Sequence, residues 1–296
     1  MTTCALQHET LPFSGPEGFV IAAAAAVRAA RAAGATPVLF ADTDRLTQLR
    51  RTLGADAAGL LALDRSITGR NPARLIPALQ HVADQPDAGR VRCISEPVRA
   101  GDTDAVRNEV ALHELLLYLP AFRTLNLHLT CAYDTDALDA DSVAMIERYH
   151  AAPSDPEDSV ERARARPLPG RPAESEELGV DRTTLSFLRG FIQGRAMKAG
   201  LDDERVSDLV YAVNEVVTNS ICHGEGRARV SVWIEPGAVA CEVRDRGWIR
   251  DPLAGRVAPH PDRISGRGLW LVNQLCDLVQ LRSSPAGTTL RMHIDV

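Results

Sequence analysis

Asn214 to Gly224 reads NEVVTNSICHG and closes an apolar repeat that begins near Asp203. Leu209, Val213, Val216, Val217 and Ile221 recur at about 100° per residue, which predicts a helix over Asp203–Cys222 with that face turned into a core. Glu215 and Asn219 then share the opposite side one turn apart, with His223 at its margin. A carboxylate and a carboxamide so spaced suit a hydrated cation and the phosphates it carries, although taken alone they fit a solvated helix face better.

Three further signals follow in a fixed order. Asp245-Arg246-Gly247 ends a predicted strand, Gly266-Arg267-Gly268-Leu269 opens a helix, and Gly287-Thr288-Thr289 opens the last strand. Singly, each reads as a turn or a junction. The flanking pattern predicts helices at Asp181–Lys198 and Leu269–Cys276 and strands at Val230–Ile234, Val239–Val243, Val279–Arg282 and Thr288–Ile294, an α+β two-layer sandwich.

The ordered set resembles the ATP-binding fold shared by gyrase, a heat-shock chaperone, histidine kinases and anti-sigma factor kinases, the GHKL fold. Within it, NEVVTNSICHG, GRGLWLVNQLCD and GTTLRMHI look most like the anti-sigma factor serine kinases of bacterial stress and sporulation switches. The resemblance covers Asp181 to Val296 and implies ATP and Mg2+ as cofactors. By it, Asn219 holds Mg2+ through its side-chain oxygen, and Glu215 accepts the proton of the attacking hydroxyl. Asp245 accepts from the adenine amino group, Gly247 lets the purine approach the backbone, and Thr288 supports the adenine end through its hydroxyl. Gly266 and Gly268 admit phosphate at the start of the helix from Leu269, where free N–H groups favour an anion. His223, Arg263 and Arg267 complete the nucleotide-binding set, with Arg256 and Arg263 on a lid loop, Asp251–Ser265. One position departs from the family: Ile249, between Trp248 and Arg250, stands where a second glycine is usual.

The chain as a whole, 296 residues with 45% hydrophobic and 24% charged, is too apolar for a disordered polypeptide and too long for a disulfide-stapled one. Thirty-three basic against 39 acidic residues leave a net charge of −6, so no diffuse positive field draws nucleic acid. The longest apolar stretch, Phe19–Ala33, is broken by Arg28 and Arg31, which excludes a membrane-spanning helix there. Met1–Glu9 lacks the features of a secretory signal, and the expected location is the cytoplasm. Six cysteines, at 4, 93, 131, 222, 241 and 276, show no CxxC and no Cys/His cluster at metal-ligand spacing, and are expected to be reduced and mostly buried. Cys131 lies beside Tyr133 and Asp134 at a strand end, where α/β sheets place ligands, but a buried structural thiol is the simpler reading.

Residues 151–180, with Pro153, Pro156, Pro167, Pro169 and Pro172, read as a linker between a domain at 1–150 and one at 181–296. Ahead of it, helix and strand alternate. Helices are predicted at Pro16–Ala33, Thr43–Leu53, Asn71–Val82 and Thr103–Leu119, and strands at Pro37–Phe40, Leu60–Leu63, Val91–Ile94 and Leu125–Cys131, giving an α/β domain with a mostly parallel sheet. His8–His150 resembles the MEDS (DcmR-type) sensory domain of methanogen, methylotroph and actinobacterial regulators, with a degenerate RecA-like core. The resemblance rests on Gly69-Arg70-Asn71-Pro72-Ala73-Arg74, Ser95-Glu96-Pro97, Glu109, His113-Glu114 and Cys131-Ala132-Tyr133-Asp134. No GxxxxGK[ST] is present, and Glu96, Glu109, His113 and Tyr133 are the candidate ligand contacts.

Together the resemblances imply a regulator whose C-terminal domain sequesters a sigma factor and phosphorylates a serine or threonine of an antagonist protein, under control of the sensory domain. A homodimer, with no direct nucleic acid or membrane partner, is also implied. Two alternatives remain. His113-Glu114-Leu115 is similar to the phosphoacceptor box of sensor histidine kinases, and Ile249 suits a sigma-binding module that has lost catalysis.

Overall fold

The computed structural model describes residues 6–65, 71–85, 89–122, 125–260 and 266–296. The chain divides into two compact units, Met1–Ser159 and Val160–Val296.

In the first unit, β1 (Gln7–Phe13), β2 (Thr36–Ala41), β3 (Leu61–Asp64), β4 (Val91–Ser95) and β5 (Leu127–Asp134) form one sheet in the order β1-β5-β4-β2-β3. Every pairing is parallel. A parallel sheet is covered on both faces, which is why β2 and β5 are buried along almost their whole length. The helices α1 (Gly15–Ala32), α2 (Thr43–Leu53), α3 (Leu75–Ala83), α4 (Asp104–Leu116) and α5 (Ala140–His150) alternate with the strands. The alanine-rich α1 buries Phe19, Ala23, Ala24, Val27 and Ala30, its small side chains allowing close approach to the sheet. Thr103 and Asp139 cap α4 and α5 by accepting from the N–H groups of Val106 and Ser142.

Patterning did not mark β1 or α5. The strand opens on consecutive glutamine, histidine and glutamate and carries Pro12, which its edge position accommodates. The helix is mostly polar and buries only Ser142 and Ile146. The predicted helix at Asn71–Val82 begins instead as a 3-10 turn, Pro72–Arg74, because Asn71 accepts from the N–H of Ala73. Gly69 and Arg70 lie outside the described residues.

The second unit is a purely antiparallel sheet of β6 (Glu176–Val180), β7 (Ala228–Glu235), β8 (Ala238–Asp245), β9 (Leu278–Ser284) and β10 (Gly287–Asp295), in the order β6-β7-β8-β10-β9. Three helices supply its core: α7 (Leu185–Lys198), α8 (Asp203–His223) and α9 (Gly268–Leu275). On β10, Leu290, Met292 and Ile294 join that core, while Arg291 and His293 alternate to the other face.

That other face corrects the linker reading. Helix α6 (Pro156–Ala165) and strand β6 occupy much of 151–180, and the unit boundary falls inside α6. Pro169 O accepts from Arg291 Nη2 at 2.7 Å, and Arg171 bonds Ser231 and pairs with Glu177. Beneath lies Glu242, 1% exposed, whose Oε2 accepts from Arg291 Nε and Nη2 at 3.0 and 2.7 Å. This segment is held by hydrogen bonds and ion pairs, which have no apolar period to read. No helix among the described residues is long and apolar enough to cross a membrane.

Candidate functional site

Helix α8 starts where Asp202 accepts from the N–H of Arg205 at 2.8 Å, and it buries Leu209, Val213, Val216, Val217 and Ile221 against the sheet. That leaves Glu215 and Asn219 half-buried on the side toward α9. A cleft of about 1070 Å³ opens there, lined among others by Asn219, His223, Asp245, Gly247, Gly266, Gly268, Leu269 and Thr288. Residues scattered over seventy positions of the chain are thus gathered by the sheet and two helix ends. Glu215 is not in the lining but stands directly behind it, and Arg267 is exposed at the start of α9. Arg263 lies outside the described residues.

Two glycines make this packing feasible. A Cβ on Gly268 would lie 2.9 Å from Glu215 Oε2 and 3.3 Å from Asn219 Nδ2, so a larger residue at the first turn of α9 would have to push the ends of these two side chains aside. A Cβ on Gly247 would lie 2.9 Å from both Asp245 Oδ1 and the carbonyl oxygen of His223. Gly247→Ala is therefore expected to cost about 1–3 kcal/mol, measurable as a lower urea midpoint with its slope unchanged.

Asp245 is oriented from both sides. Its Oδ2 accepts from Ser220 Oγ at 2.5 Å and its Oδ1 from the Gly247 N–H at 2.6 Å. A carboxylate has about four acceptor directions, so each oxygen retains one for a donor in the cleft. The adjoining turn is held by a directed chain: Ile249 N–H donates to Ser283 Oγ (2.8 Å), Ser283 to Thr288 Oγ1 (2.7 Å), and Thr288 to the Gly247 carbonyl (2.8 Å). The direction follows because the Thr288 proton is committed to a carbonyl, which cannot donate.

Ile249 itself fits without strain. Among the described non-glycine residues Glu225 has a positive φ and Ile249 does not, and the isoleucine side chain packs against the core. Behind it, Arg164 of α6 donates to the carbonyls of Ile249 (2.8 Å) and Arg250 (3.3 Å). Burial, then the neighbouring Arg256, lowers the Arg164 pKa. On the far side of the cleft, Asn273 donates to the carbonyls of Gly255 and Leu269, tying the loop to α9.

Ser220, Ser283, Arg164 and Asn273 escaped the sequence reading. Ser220 and Asn273 carry a signal, each a polar residue inside an apolar helical stripe; Ser283 and Arg164 carry none.

In the first unit, the candidate ligand contacts Glu96, Glu109, His113 and Tyr133 do not line a common ligand-sized cleft among the described residues. Glu96 is buried at the end of β4 and pairs with Arg45 (2.8 Å) and Arg99 (3.2 Å); burial pushes its carboxyl up to about 7 against the pull of Arg45 and Arg65. Glu109 and His113 are both 1% exposed on α4. The cavity beside His113, about 20 Å³, holds no more than a water molecule. Tyr133 is buried in β5. Burial, then Glu114, drives the Cys131 thiol well above its ordinary range, which is unlike a reactive sensor cysteine. Cys93, Cys241 and Cys276 are buried as expected, and Cys222 is exposed.

Comparison with known proteins follows this division. The family model of the histidine kinase-like ATPase domain matches residues 180–294, and that of MEDS, the methanogen/methylotroph DcmR sensory domain, matches residues 7–151. Serine-protein kinase RsbW of Oceanobacillus iheyensis is 30% identical over 126 residues, 38% of this chain and 75% of that protein. Anti-sigma F factor of Pasteuria penetrans is 35% identical over 103 residues, 30% of this chain and 67% of that protein. Among solved structures, the RsbU and RsbW domains of Rv1364c from Mycobacterium tuberculosis align at 19% identity and a TM-score of 0.32, over 42% of this chain and 33% of that one.

Proposed function

Because the chain belongs to the anti-sigma factor serine kinase family, with a histidine kinase-like ATPase domain preceded by a MEDS sensory domain, we propose that it is a partner-switching kinase in the cytoplasm. In this reading the C-terminal unit holds a sigma factor and binds ATP with Mg2+ in the cleft beside α8. An antagonist protein competes for the unit and is inactivated by phosphorylation on serine or threonine. The N-terminal unit biases that equilibrium through a ligand that favours one state, and the chain acts as a homodimer.

The observation that carries the reading is the convergence of Asn219, Asp245, Gly268 and Thr288 on one cleft. Its donor set suits the nucleotide: a carboxylate with spare acceptor directions for an exocyclic amine, a carboxamide for a hydrated Mg2+, and a glycine-opened helix start for phosphate. Its volume, about 1070 Å³, lies just above the range of about 300–1,000 Å³ usual for small-molecule sites. ATP supplies the phosphoryl group and Mg2+ offsets its charge. Asn219 would hold the metal, Asp245 the base, and the backbone around Gly266 and Gly268 the phosphates. The antagonist's hydroxyl gives its proton to Glu215 and takes the γ-phosphoryl, with ADP leaving.

Incubation of the full chain with labelled ATP and Mg2+, alone and with candidate antagonists, tests this. Acid-stable label on the antagonist is expected. Acid-labile label on the chain itself would instead support the histidine-kinase alternative, which the burial of His113 argues against. No label and no bound nucleotide would leave sequestration alone, the reading that Ile249 motivated and that its unstrained backbone weakens.

A further inference from the structure

Four residues of the first unit that share no sequence neighbourhood meet inside it. His8 comes from β1, Glu114 from α4, Cys131 from β5 and His150 from the last position of α5, and one donor atom from each lies within 4.8 Å of all the others. His8 Nε2 is 2.8 Å from Glu114 Oε2 and 3.3 Å from Cys131 Sγ, His150 Nε2 is 3.8 Å from Glu114 Oε2, and Cys131 Sγ is 3.8 Å from Glu114 Oε1. A tetrahedral ion with metal–nitrogen and metal–sulfur bonds of ordinary length separates its ligand atoms by about 3.3–3.6 Å, in the middle of these spacings. All four side chains are buried or nearly so.

The His8–Glu114 contact accounts for one pair of the cluster and leaves His150 Nε2 unsatisfied. His150 Nδ1 lies 2.8 Å from the Ile146 carbonyl, an acceptor, so Nδ1 carries the proton and the neutral ring turns a lone pair at Nε2 toward Glu114. His150 Nε2 is buried with no hydrogen-bond partner and faces Glu114 Oε2 at 3.8 Å, an acceptor that His8 Nε2 already reaches at 2.8 Å. An imidazole fixed at one nitrogen by a backbone carbonyl, with the other free, is the arrangement that metal-binding histidines adopt. Ser95 Oγ, 3.6 Å from Cys131 Sγ, is placed to donate to a thiolate.

We propose that His8, Glu114, Cys131 and His150 form a tetrahedral site for a borderline-soft divalent transition ion, Zn2+ in the first instance. Two imidazoles, a thiolate and a carboxylate suit such an ion and do not suit Mg2+ or Ca2+, which require oxygen ligands. With four protein ligands the site is closed. It ties the first strand to the last helix of the unit, and it is independent of the kinase reading.

The test uses the full chain without a polyhistidine tag, stripped with chelator and titrated with Co2+. One equivalent is expected to bind, giving the visible bands of a tetrahedral site and a thiolate-to-cobalt charge-transfer band. Cys131→Ser should remove the charge-transfer band, and His150→Gln should weaken Co2+ and Zn2+ binding at least about tenfold. Cys222→Ser, which alters the exposed thiol, should change neither. Absence of both kinds of band from the parent chain, a charge-transfer band that survives Cys131→Ser, or one that disappears with Cys222 would overturn the assignment. Should Cys131→Ser fail to fold by circular dichroism, the affinity of His150→Gln decides alone, unchanged affinity counting against the site.

Discussion

Glu215→Ala is expected to slow phosphoryl transfer to the antagonist by about 10²–10⁴-fold, the usual contribution of a positioned general base, while nucleotide and sigma-factor binding change little. The separation follows from where the side chain sits. Glu215 stands behind Gly268 and is absent from the lining of the cleft, so its truncation removes a proton acceptor without removing a nucleotide contact. Single-turnover transfer from labelled ATP reads the first quantity and calorimetry the second. Transfer at the parent rate would show that the proton goes elsewhere. Loss of nucleotide binding would make Glu215 a support for α9 and Asn219 instead of a base.

Arg291→Leu should destabilise the C-terminal unit by about 3–5 kcal/mol, because it strands the Glu242 carboxylate, 1% exposed, with half of its buried pairing gone. Arg244 still reaches Glu242 Oε1 at 2.6 Å, but its side chain is 43% exposed and screened by water. The same change removes the donor to Pro169 O and the cation over the Trp233 ring. All three tryptophans, 233, 248 and 270, belong to this unit, so urea unfolding followed by their fluorescence reports on it selectively. Replacing Glu242 by leucine as well should recover most of the loss, since an apolar pair leaves no uncompensated charge. An additive double variant would show that the two residues are not coupled.

Much of the architecture was legible because it depends on local repeats. The stripe on α8 and the alternation of β7 and β10 each lie within one short window, and burial of one face is what imposes the period. The ordered signals at 215–219, 245–247, 266–268 and 287–289 likewise pointed to one site, and Asn219, Asp245, Gly247, Gly266, Gly268 and Thr288 line one cleft. What supports that site was not legible. Ser283 orients the turn through a hydroxyl chain, and Arg164 does so from a segment whose prolines and mixed charges resemble a tether.

The residues alone thus gave most of the helices and strands with an apolar period, the parallel sheet of the first half and the α+β sandwich of the second. Folding in three dimensions settled the rest. Pro169 and Arg171 bond residues of a polar sheet face, and His8 meets Cys131 across 123 positions, with Glu114 and His150 completing the group. The reason is physical: apolar burial on a regular backbone repeats every two or 3.6 residues, whereas a hydrogen bond or a ligand set needs only that its atoms end up a few ångströms apart, at any distance along the chain.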